Sequence, residues 1–253
     1  MTSQNNERFN AEAATWDNRP GVEESNQHVW TTIQAAVPDL MSAKRSIDVL
    51  ELGCGTGGLS LLVAPTVRSL VAIDAAPGMI ERLKKKLETS DAKGSSTQTI
   101  HPLCLVLQDP EDSRLPPHSA DDPAGPRRKY DLILSHLMLH HIPDLSQLLR
   151  TMHGCLKPGG WIVLTDFEDF GPEARKYHPA SKLEGVERHG IQRESFRLLM
   201  QETDFVDVEV TPAWTFTKKV ERYPGEWEEK PDVERETMDF PFLLCKGRKR
   251  DLP

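Results

Sequence analysis

The sequence has no apolar run long enough to cross a bilayer, although it extends over 253 residues. Its first residues, MTSQNNERFNAEAATWD, contain neither the basic nor the apolar region of a secretory signal. We therefore expect a soluble, cytoplasmic protein that does not bind membranes. The length fits one large domain with a substantial core.

Cysteine pairs and an excess of positive charge are also missing. The four cysteines are widely scattered and form no C-x-x-C motif, so the sequence gives no sign of a zinc site or a disulfide framework. Lys and Arg together number 31 against 39 Asp and Glu, which gives a net charge of -8. Because nucleic acids are bound mainly through clustered Lys and Arg, we expect no nucleic-acid partner.

Apolar patterns predict alternating strands and helices. Helical spacing predicts helices over residues 22–41, 59–64, 79–87 and 145–156. Short, mostly apolar runs predict strands in SIDVLELG, SLVAID, LCLVLQD, YDLILSHL, WIVLTDF, FVDVEV and FPFLLC. This order is typical of a mainly parallel sheet, whose strands have their carboxyl ends along the ligand-binding edge.

Two segments interrupt the pattern because they contain few apolar residues. Residues 110–129 are rich in proline and charge, which predicts a surface excursion that is partly disordered. Residues 218–239 are similarly polar and predict a second surface excursion.

A glycine-rich turn, GCGTGG, follows the first predicted strand. Gly53, Gly55 and Gly58 match the G-x-G-x-x-G spacing of dinucleotide-binding proteins, so a nicotinamide cofactor has to be considered. Glu51 lies two residues before the turn, where a carboxylate would repel a pyrophosphate but could pair with the ammonium group of a methionine moiety. Glu51 therefore favours S-adenosylmethionine over NAD.

Acidic residues end two further predicted strands. Asp74 ends SLVAID, where a carboxylate can accept hydrogen bonds from both hydroxyls of a ribose. Both cofactors contain that ribose, so Asp74 does not discriminate between them. Asp109 ends LCLVLQD, within reach of an adenine amino group, which suits an adenosine ligand.

Five segments together resemble the motif series of class I S-adenosylmethionine-dependent methyltransferases, most closely the small-molecule enzymes of the methyltransferase-11/12 type. They are VLELGCGTGG, VAIDAAPGMI, LQDPED, YDLILSHLMLHHIPD and LKPGGWIVLTDF, within about residues 47 to 167. The resemblance implies a Rossmann-like, doubly wound α/β fold with seven strands, mostly parallel, and an antiparallel last strand. It also implies one methyltransferase domain over residues 1–253, with an N-terminal lid and helix (1–45), a cofactor-binding core (46–167) and an acceptor-side insertion followed by the last strands (168–253).

The resemblance also implies positions around the cofactor. The glycines of the turn would approach the methionine and ribose, Glu51 the ammonium group, and Asp74 the ribose hydroxyls. Ala75 and Met79 would flank the adenine, and Asp109 would bind its amino group. Ser135 and His136 would lie beside the methyl-transfer end, and Trp16 would cover the cofactor or acceptor. The glycines of the turn that would approach the cofactor are Gly53, Gly55 and Gly57.

Histidines supply the candidates for chemistry. An oxygen or nitrogen acceptor that must lose a proton needs a base, and His140 and His141, directly after the fourth strand, are the best candidates. His178 and His189, between the fifth and sixth strands, are second candidates; for each histidine the alternative is a structural role. The spacing of His136 and His140 also suits a metal, but no Asp, Glu or Cys completes a set nearby, so we expect none.

The sequence therefore predicts methyl transfer from S-adenosylmethionine to an O, N or S atom of a small metabolite. A protein acceptor stays open as well. A nicotinamide-dependent oxidoreductase is an alternative, opposed by Glu51 and by the lack of a catalytic Y-x-x-x-K pair. A non-catalytic S-adenosylmethionine-binding partner or sensor is a second alternative, which the intact glycines, Asp74 and Asp109 disfavour.

Overall fold

A seven-stranded sheet forms the centre of the molecule. The computed structural model describes residues 3–42, 46–89, 99–230, 232 and 234–251. The strands are β1 (Asp48–Leu52), β2 (Ser69–Asp74), β3 (Ile100–Cys104), β4 (Tyr130–His136), β5 (Leu156–Phe167), β6 (Phe205–Val220) and β7 (Glu236–Lys249). Their order across the sheet is β3-β2-β1-β4-β5-β7-β6. Strands β1 to β5 pair in parallel and β7 runs antiparallel to both neighbours, so the predicted fold is confirmed.

Helices cover both faces of the sheet. They are α1 (Ser3–Glu12), α2 (Val22–Ala36), α3 (Pro38–Ser42), α4 (Gly58–Val63), α5 (Pro77–Thr89), α6 (Leu145–Cys155), α7 (Arg193–Glu202) and α8 (Glu226–Glu229). The single helix predicted over residues 22–41 is divided, because Pro38 begins a new helix where its missing N–H is tolerated. None of the helices in the described part of the chain is long and apolar enough to span a membrane.

The alternation of side chains along each strand produces two cores. Along β1, Val49 faces the core formed with α2, α4 and α5, whereas Leu50 and Leu52 face the core formed with α6 and α7. All three side chains are at most 3% exposed. Successive residues of a strand point to opposite faces, so a strand covered on both faces needs a continuous apolar run.

The topology creates a crevice at the carboxyl end of β1. The strand order reverses here, since β2 lies on one side of β1 and β4 on the other. The register aligns Leu52 with Ile73 of β2 and with Ser135 of β4. The turns after these three strands therefore meet at one edge, the usual ligand site of open α/β sheets.

Some predicted strand ends were wrong. The third strand ends at Cys104, so Asp109 lies beyond it instead of at its end. Strands β6 and β7 contain 16 and 14 residues, and their pairing continues to Val220 and Glu236. The first and last residues of the predicted 218–239 excursion are therefore part of the sheet.

Residues 110–129 form defined turns around a buried arginine, so the prediction of partial disorder was wrong. Arg127 is 5% exposed. Its guanidinium donates to the carbonyl oxygens of Pro123 (2.7 Å), Leu115 (3.2 Å) and Gly125 (3.1 Å). The side chain of Leu115 is 1% exposed and joins the core. Arg127 thus supplies the donors that this proline-rich segment lacks.

We expect Arg127→Ala to lower the free energy of unfolding by about 2 to 3 kcal/mol, because several buried carbonyl groups lose their donors. Urea unfolding would measure the change, and limited proteolysis would show new cleavage within residues 110–129. Arg128→Ala is the matched control, since the one hydrogen bond of the Arg128 side chain to another described residue is a 3.5 Å contact with the Ser69 hydroxyl. Equal unfolding midpoints for the two variants would contradict this role.

Candidate active site

The turn after β1 has a left-handed backbone at three glycines. Gly53, Gly55 and Gly57 have φ angles of 73°, 54° and 82°, which side-chain-bearing residues rarely adopt. A Cβ at Gly53 would lie 3.0 Å from Met138, and a Cβ at Gly57 would lie 2.3 Å from Leu83. At Gly55 no atom of the described residues lies within 4 Å of that position. Gly55 is therefore the glycine whose backbone a ligand can approach.

Asp74 connects the glycine turn to the end of β2. Its carboxylate accepts hydrogen bonds from the backbone N–H of Gly55 and of Ala76, both at 2.8 Å. Burial raises the pKa of the carboxyl, although the backbone donors oppose the shift. The carboxylate lies where ribose contacts are predicted, and it already orders the turn. Its contact with a ribose stays a prediction.

Glu51 lies beneath the same turn with its side chain only 3% exposed. The hydroxyl of Ser60 donates to one carboxyl oxygen at 2.5 Å. No basic side chain among the described residues forms an ion pair with Glu51, and burial raises its pKa to about 8. The group is thus mainly a neutral acid at pH 7, and a cationic ligand would favour its ionised form.

The start of α5 is covered by the N-terminal arm, which we define as residues 3–21. Met79 is 2% exposed and packs with Ala13, beside Phe9 and Trp16. The side chain of Asn10 accepts a hydrogen bond from the N–H of Gly78 at 2.7 Å. Ala75, the other predicted adenine neighbour, is also buried. Trp16 thus lies next to the predicted adenine region.

Asp17 joins the arm to the glycine turn, a contact that the sequence did not indicate. One of its carboxylate oxygens accepts from the hydroxyl of Thr56 at 2.5 Å and from Nζ of Lys86 at 2.7 Å. Lys86 also donates to the carbonyl oxygen of Thr56 at 2.8 Å. The arm therefore packs against the turn through a specific polar network.

Three predicted cofactor residues have protein partners of their own. The exposed Asp109 accepts a hydrogen bond from the N–H of Glu111 at 2.8 Å. Ser135 donates to the carbonyl oxygen of Leu52 at 2.9 Å, which joins β4 to β1. The ring of His136 is hydrogen-bonded to the hydroxyls of Ser25 and Thr165, both at 2.9 Å, and burial lowers its pKa to about 4. Their contacts with a cofactor stay predictions.

A tight turn after β4 presents two histidines at the same edge. Leu137 has a φ of 53°, which is unusual for a residue with a side chain, and a 3₁₀ helix over Leu139–His141 follows. The Nδ1–H of His140 donates to the Asp166 carboxylate at 2.8 Å, and the His140 backbone N–H donates to the same group at 3.1 Å. Asp166, near the end of β5, was missed in the sequence although it ends a buried run just as Asp74 does.

His178 completes a cluster of three histidines, His140, His141 and His178. Their potential ligand atoms all lie within 4.8 Å of one another. Nδ1 of His141 donates to the carbonyl oxygen of Gly185 at 2.8 Å. Burial lowers the pKa of His141 to about 3 and that of His178 well below its usual value. Among the described residues, His189 is not a member of this cluster.

A family comparison agrees with this geometry. Residues 24–210 match the family model described as a methyltransferase domain. The chain belongs to the methyltransferase-domain family. It is a class I S-adenosylmethionine-dependent methyltransferase, so the predicted enzyme class is confirmed.

Sequence relatives of this methyltransferase include two proteins named as malonyl-[acyl-carrier protein] O-methyltransferases. Malonyl-[acyl-carrier protein] O-methyltransferase 1 of Ilyobacter polytropus is 25% identical over 229 residues, which are 85% of this chain and 75% of the relative. The malonyl-[acyl-carrier protein] O-methyltransferase of Priestia megaterium is 28% identical over 162 residues, 63% of this chain and 50% of the relative. The chain thus matches about half of the second relative.

Solved structures show the same fold at low sequence identity. The YcgJ protein of Bacillus subtilis has a TM-score of 0.63 at 14% identity, over 89% of this methyltransferase and all of that chain. The N-methyltransferase NodS of Bradyrhizobium japonicum, in complex with S-adenosylhomocysteine, has a TM-score of 0.57 at 18% identity, over 97% of both chains. The family match and this complex identify S-adenosylmethionine as the cofactor. Open space at Gly55 and the unpaired Glu51 carboxyl fit its methionine part.

We expect Gly55→Val to weaken S-adenosylhomocysteine binding by about 100-fold or more, because the new side chain would fill the open space at the turn. Isothermal titration calorimetry would measure the affinity. Gly225→Val is the matched control: Gly225 also has a positive φ, 84°, and no described atom within 4 Å of its Cβ position. Near-native affinity in Gly55→Val would show that the turn does not contact the ligand.

A second expectation is that S-adenosylhomocysteine binding at pH 7 releases up to about one proton, because the pKa of Glu51 near 8 keeps its carboxyl mainly neutral until an ammonium group arrives. In the free protein the raised pKa favours the fold at low pH, and this contribution is lost as the pH rises through 8. Calorimetry in two buffers of different ionisation enthalpy would give the proton count. Release that persists unchanged in Glu51→Gln would assign the proton to another group.

Proposed function

We propose that this methyltransferase moves a methyl group to an O, N or S atom of a small metabolite that lies against His140, His141 and His178. One observation carries the proposal. The Nε2 atom of His140 is enclosed and has no hydrogen-bond partner among the described residues, while Asp166 fixes the opposite side of the ring. A buried nitrogen atom without a partner costs free energy, which an acceptor group would recover.

Under this proposal, the turns after β1 and β2 hold the methyl donor. Glu51 pairs with its ammonium group, Asp74 contacts its ribose, and the backbone of Gly55 lies against it. Ala75 and Met79 flank the adenine below the N-terminal arm. When bound, S-adenosylmethionine supplies an electrophilic methyl group on a sulfonium. Much of the protein's contribution is then positioning and the exclusion of water.

His140 is the residue best placed to act on the acceptor's proton. Asp166 only accepts hydrogen bonds when ionised, so Nδ1 of His140 donates to it and Nε2 lies on the opposite, enclosed side of the ring. Burial alone would raise the pKa of Asp166, but the contact with His140 holds that pKa below its usual value. This is the arrangement of an oriented general base. A thiolate or a free amine would need no base.

The covering of the cluster favours a small acceptor over a protein. The ring of Phe9 in the arm lies 5.4 Å from that of His141, in an edge contact. Arg8 donates to the carbonyl oxygen of Lys182 at 2.6 Å, and Lys182 forms an ion pair with Glu12 at 3.0 Å. The arm thus packs on the segment between β5 and α7. A protein side chain could reach the cluster only after these contacts separate.

The relatives do not fix the acceptor atom. The Ilyobacter polytropus relative is named as an O-methyltransferase and NodS as an N-methyltransferase, and both share the fold. The family match rules out the nicotinamide-dependent oxidoreductase considered from the sequence. The non-catalytic binder is disfavoured by the intact pair of His140 and Asp166.

Incubation of the enzyme with methyl-labelled S-adenosylmethionine and a cell extract tests the proposal directly. The extract is divided by ultrafiltration into small molecules and macromolecules, and each fraction is assayed separately. We expect label in a compound of the small-molecule fraction, dependent on active enzyme. Label found only on proteins would overturn the choice of a small acceptor.

We expect His140→Asn to reduce kcat by about 100- to 1000-fold without changing the affinity for S-adenosylhomocysteine. The asparagine amide can still donate to Asp166, so only the Nε2 position is lost. His153→Asn is the control and should keep native kcat, because the His153 ring packs against Phe205 and is not part of the histidine cluster. A matching fall in S-adenosylhomocysteine affinity would place His140 at the donor end, and an unchanged kcat would make its role structural.

A further inference from the structure

The three clustered histidines present unpaired nitrogen atoms to one another. The acceptors at Nδ1 of His140 and His141 are a carboxylate and a carbonyl oxygen, so each Nδ1 donates its N–H and each Nε2 points away from that partner. In His178 the enclosed Nδ1 has no hydrogen-bond partner among the described residues. Nε2 of His140 and Nδ1 of His178 are thus enclosed near one another without a partner, which costs free energy that a shared ligand would recover.

The geometry points to a binding site for a divalent transition-metal ion of the zinc class, formed by His140, His141 and His178. Three imidazoles are a donor set that zinc commonly uses in sites with an open coordination position. Histidine ligands usually donate their second N–H to a carboxylate or a carbonyl oxygen, which fixes the ring. His140 and His141 meet this criterion through Asp166 and Gly185.

The spacing of the donor atoms is close to that around one such ion. They lie within 4.8 Å of one another, whereas nitrogen ligands of one tetrahedral zinc ion are roughly 3.3 Å apart. The ring centroid of His140 lies 4.0 Å from that of His141 and 5.0 Å from that of His178. The donor atoms therefore have to approach one another before they can bind one ion.

Two basic residues nearby indicate what the fourth ligand is. Nζ of Lys218 donates to the carbonyl oxygen of Tyr177 at 2.6 Å and pairs with no carboxylate in the described part of the chain. Burial lowers its pKa to about 8. Lys218 and Arg8 both contribute positive potential at His178. A neutral three-histidine site in this environment favours an anion as the fourth ligand, such as hydroxide or a deprotonated acceptor atom.

Ion binding itself does not depend on the proposed acceptor class, whereas a role for the ion in methyl transfer rests on the proposed function. With the ion in place, an acceptor oxygen or sulfur at the fourth position would lose its proton to solvent water more easily, as water does on zinc. The bond from the acceptor to the methyl carbon would then form as the sulfonium S–C bond breaks, which leaves S-adenosylhomocysteine. His140 would then act as a ligand of the ion. If methyl transfer continued after removal of the ion, His140 itself would be the base that takes the acceptor's proton.

Metal titration of untagged, chelator-treated protein tests the site without donor or acceptor present. We expect one Zn²⁺ per chain by calorimetry, and one Co²⁺ with the intense visible bands of tetrahedral coordination. His178→Gln and His141→Gln should each weaken binding by about 100-fold or more. Asp166→Asn should weaken it by about 10- to 100-fold through loss of the hydrogen bond to His140. Thermal unfolding would confirm that the variants are folded.

His153→Gln is the control and should bind the ion as the native chain does. Binding that is absent, or that is unaffected in both His178→Gln and His141→Gln, would overturn the metal site. Because the titrations contain no methyl donor, this result is separate from the labelled-extract assay. A protein that binds the ion but labels no small molecule would keep the site and reject the proposed acceptor class.

Discussion

The two backbone hydrogen bonds accepted by Asp74 are the interaction on which the donor end of the site depends. They connect the turn after β1 to the turn after β2, where the strand order reverses. A left-handed turn directs its N–H groups inward, and buried donors without acceptors would destabilise it. With the turn held in this way, Gly55 faces open space and Glu51 is enclosed beneath it. The carboxylate therefore shapes the cofactor site from within.

Two buried carboxyl groups have opposite electrostatic surroundings at the two ends of the crevice. Burial without a basic partner raises the pKa of Glu51 to about 8, whereas Asp166 is equally enclosed but has its pKa lowered by the contact with His140. Glu51 can therefore respond to a positive ligand, while Asp166 keeps a constant charge that orients His140. Such divergent environments often separate the roles of two acidic groups within one active site.

The sequence predicted the features whose signals are local. The glycine turn and Asp74 directly follow apolar runs that must be strands, so chain order alone places them at one edge. Asp109 was misplaced because the apolar run LCLVLQD continues past the point where pairing with β2 stops at Cys104. The approach of His178 to His140 was not predictable: it depends on a segment without apolar periodicity, whose path is set by packing against β6 and β7. The expectation that the protein has no metal site was therefore based only on residues that are close to one another in the sequence.

The N-terminal arm makes the two ends of the site interdependent. Through Asp17 it contacts Thr56 in the glycine turn, and through Arg8 it contacts Lys182 in the segment that carries His178. One element thus covers both the region predicted for the adenine and the histidine cluster. A ligand at either end of the site would therefore lie under the same element, so a change in the arm's contacts at one end would alter the cover at the other. A shared cover of this kind favours the exclusion of water from both ends, which suits a reaction that needs mainly positioning and a dry site.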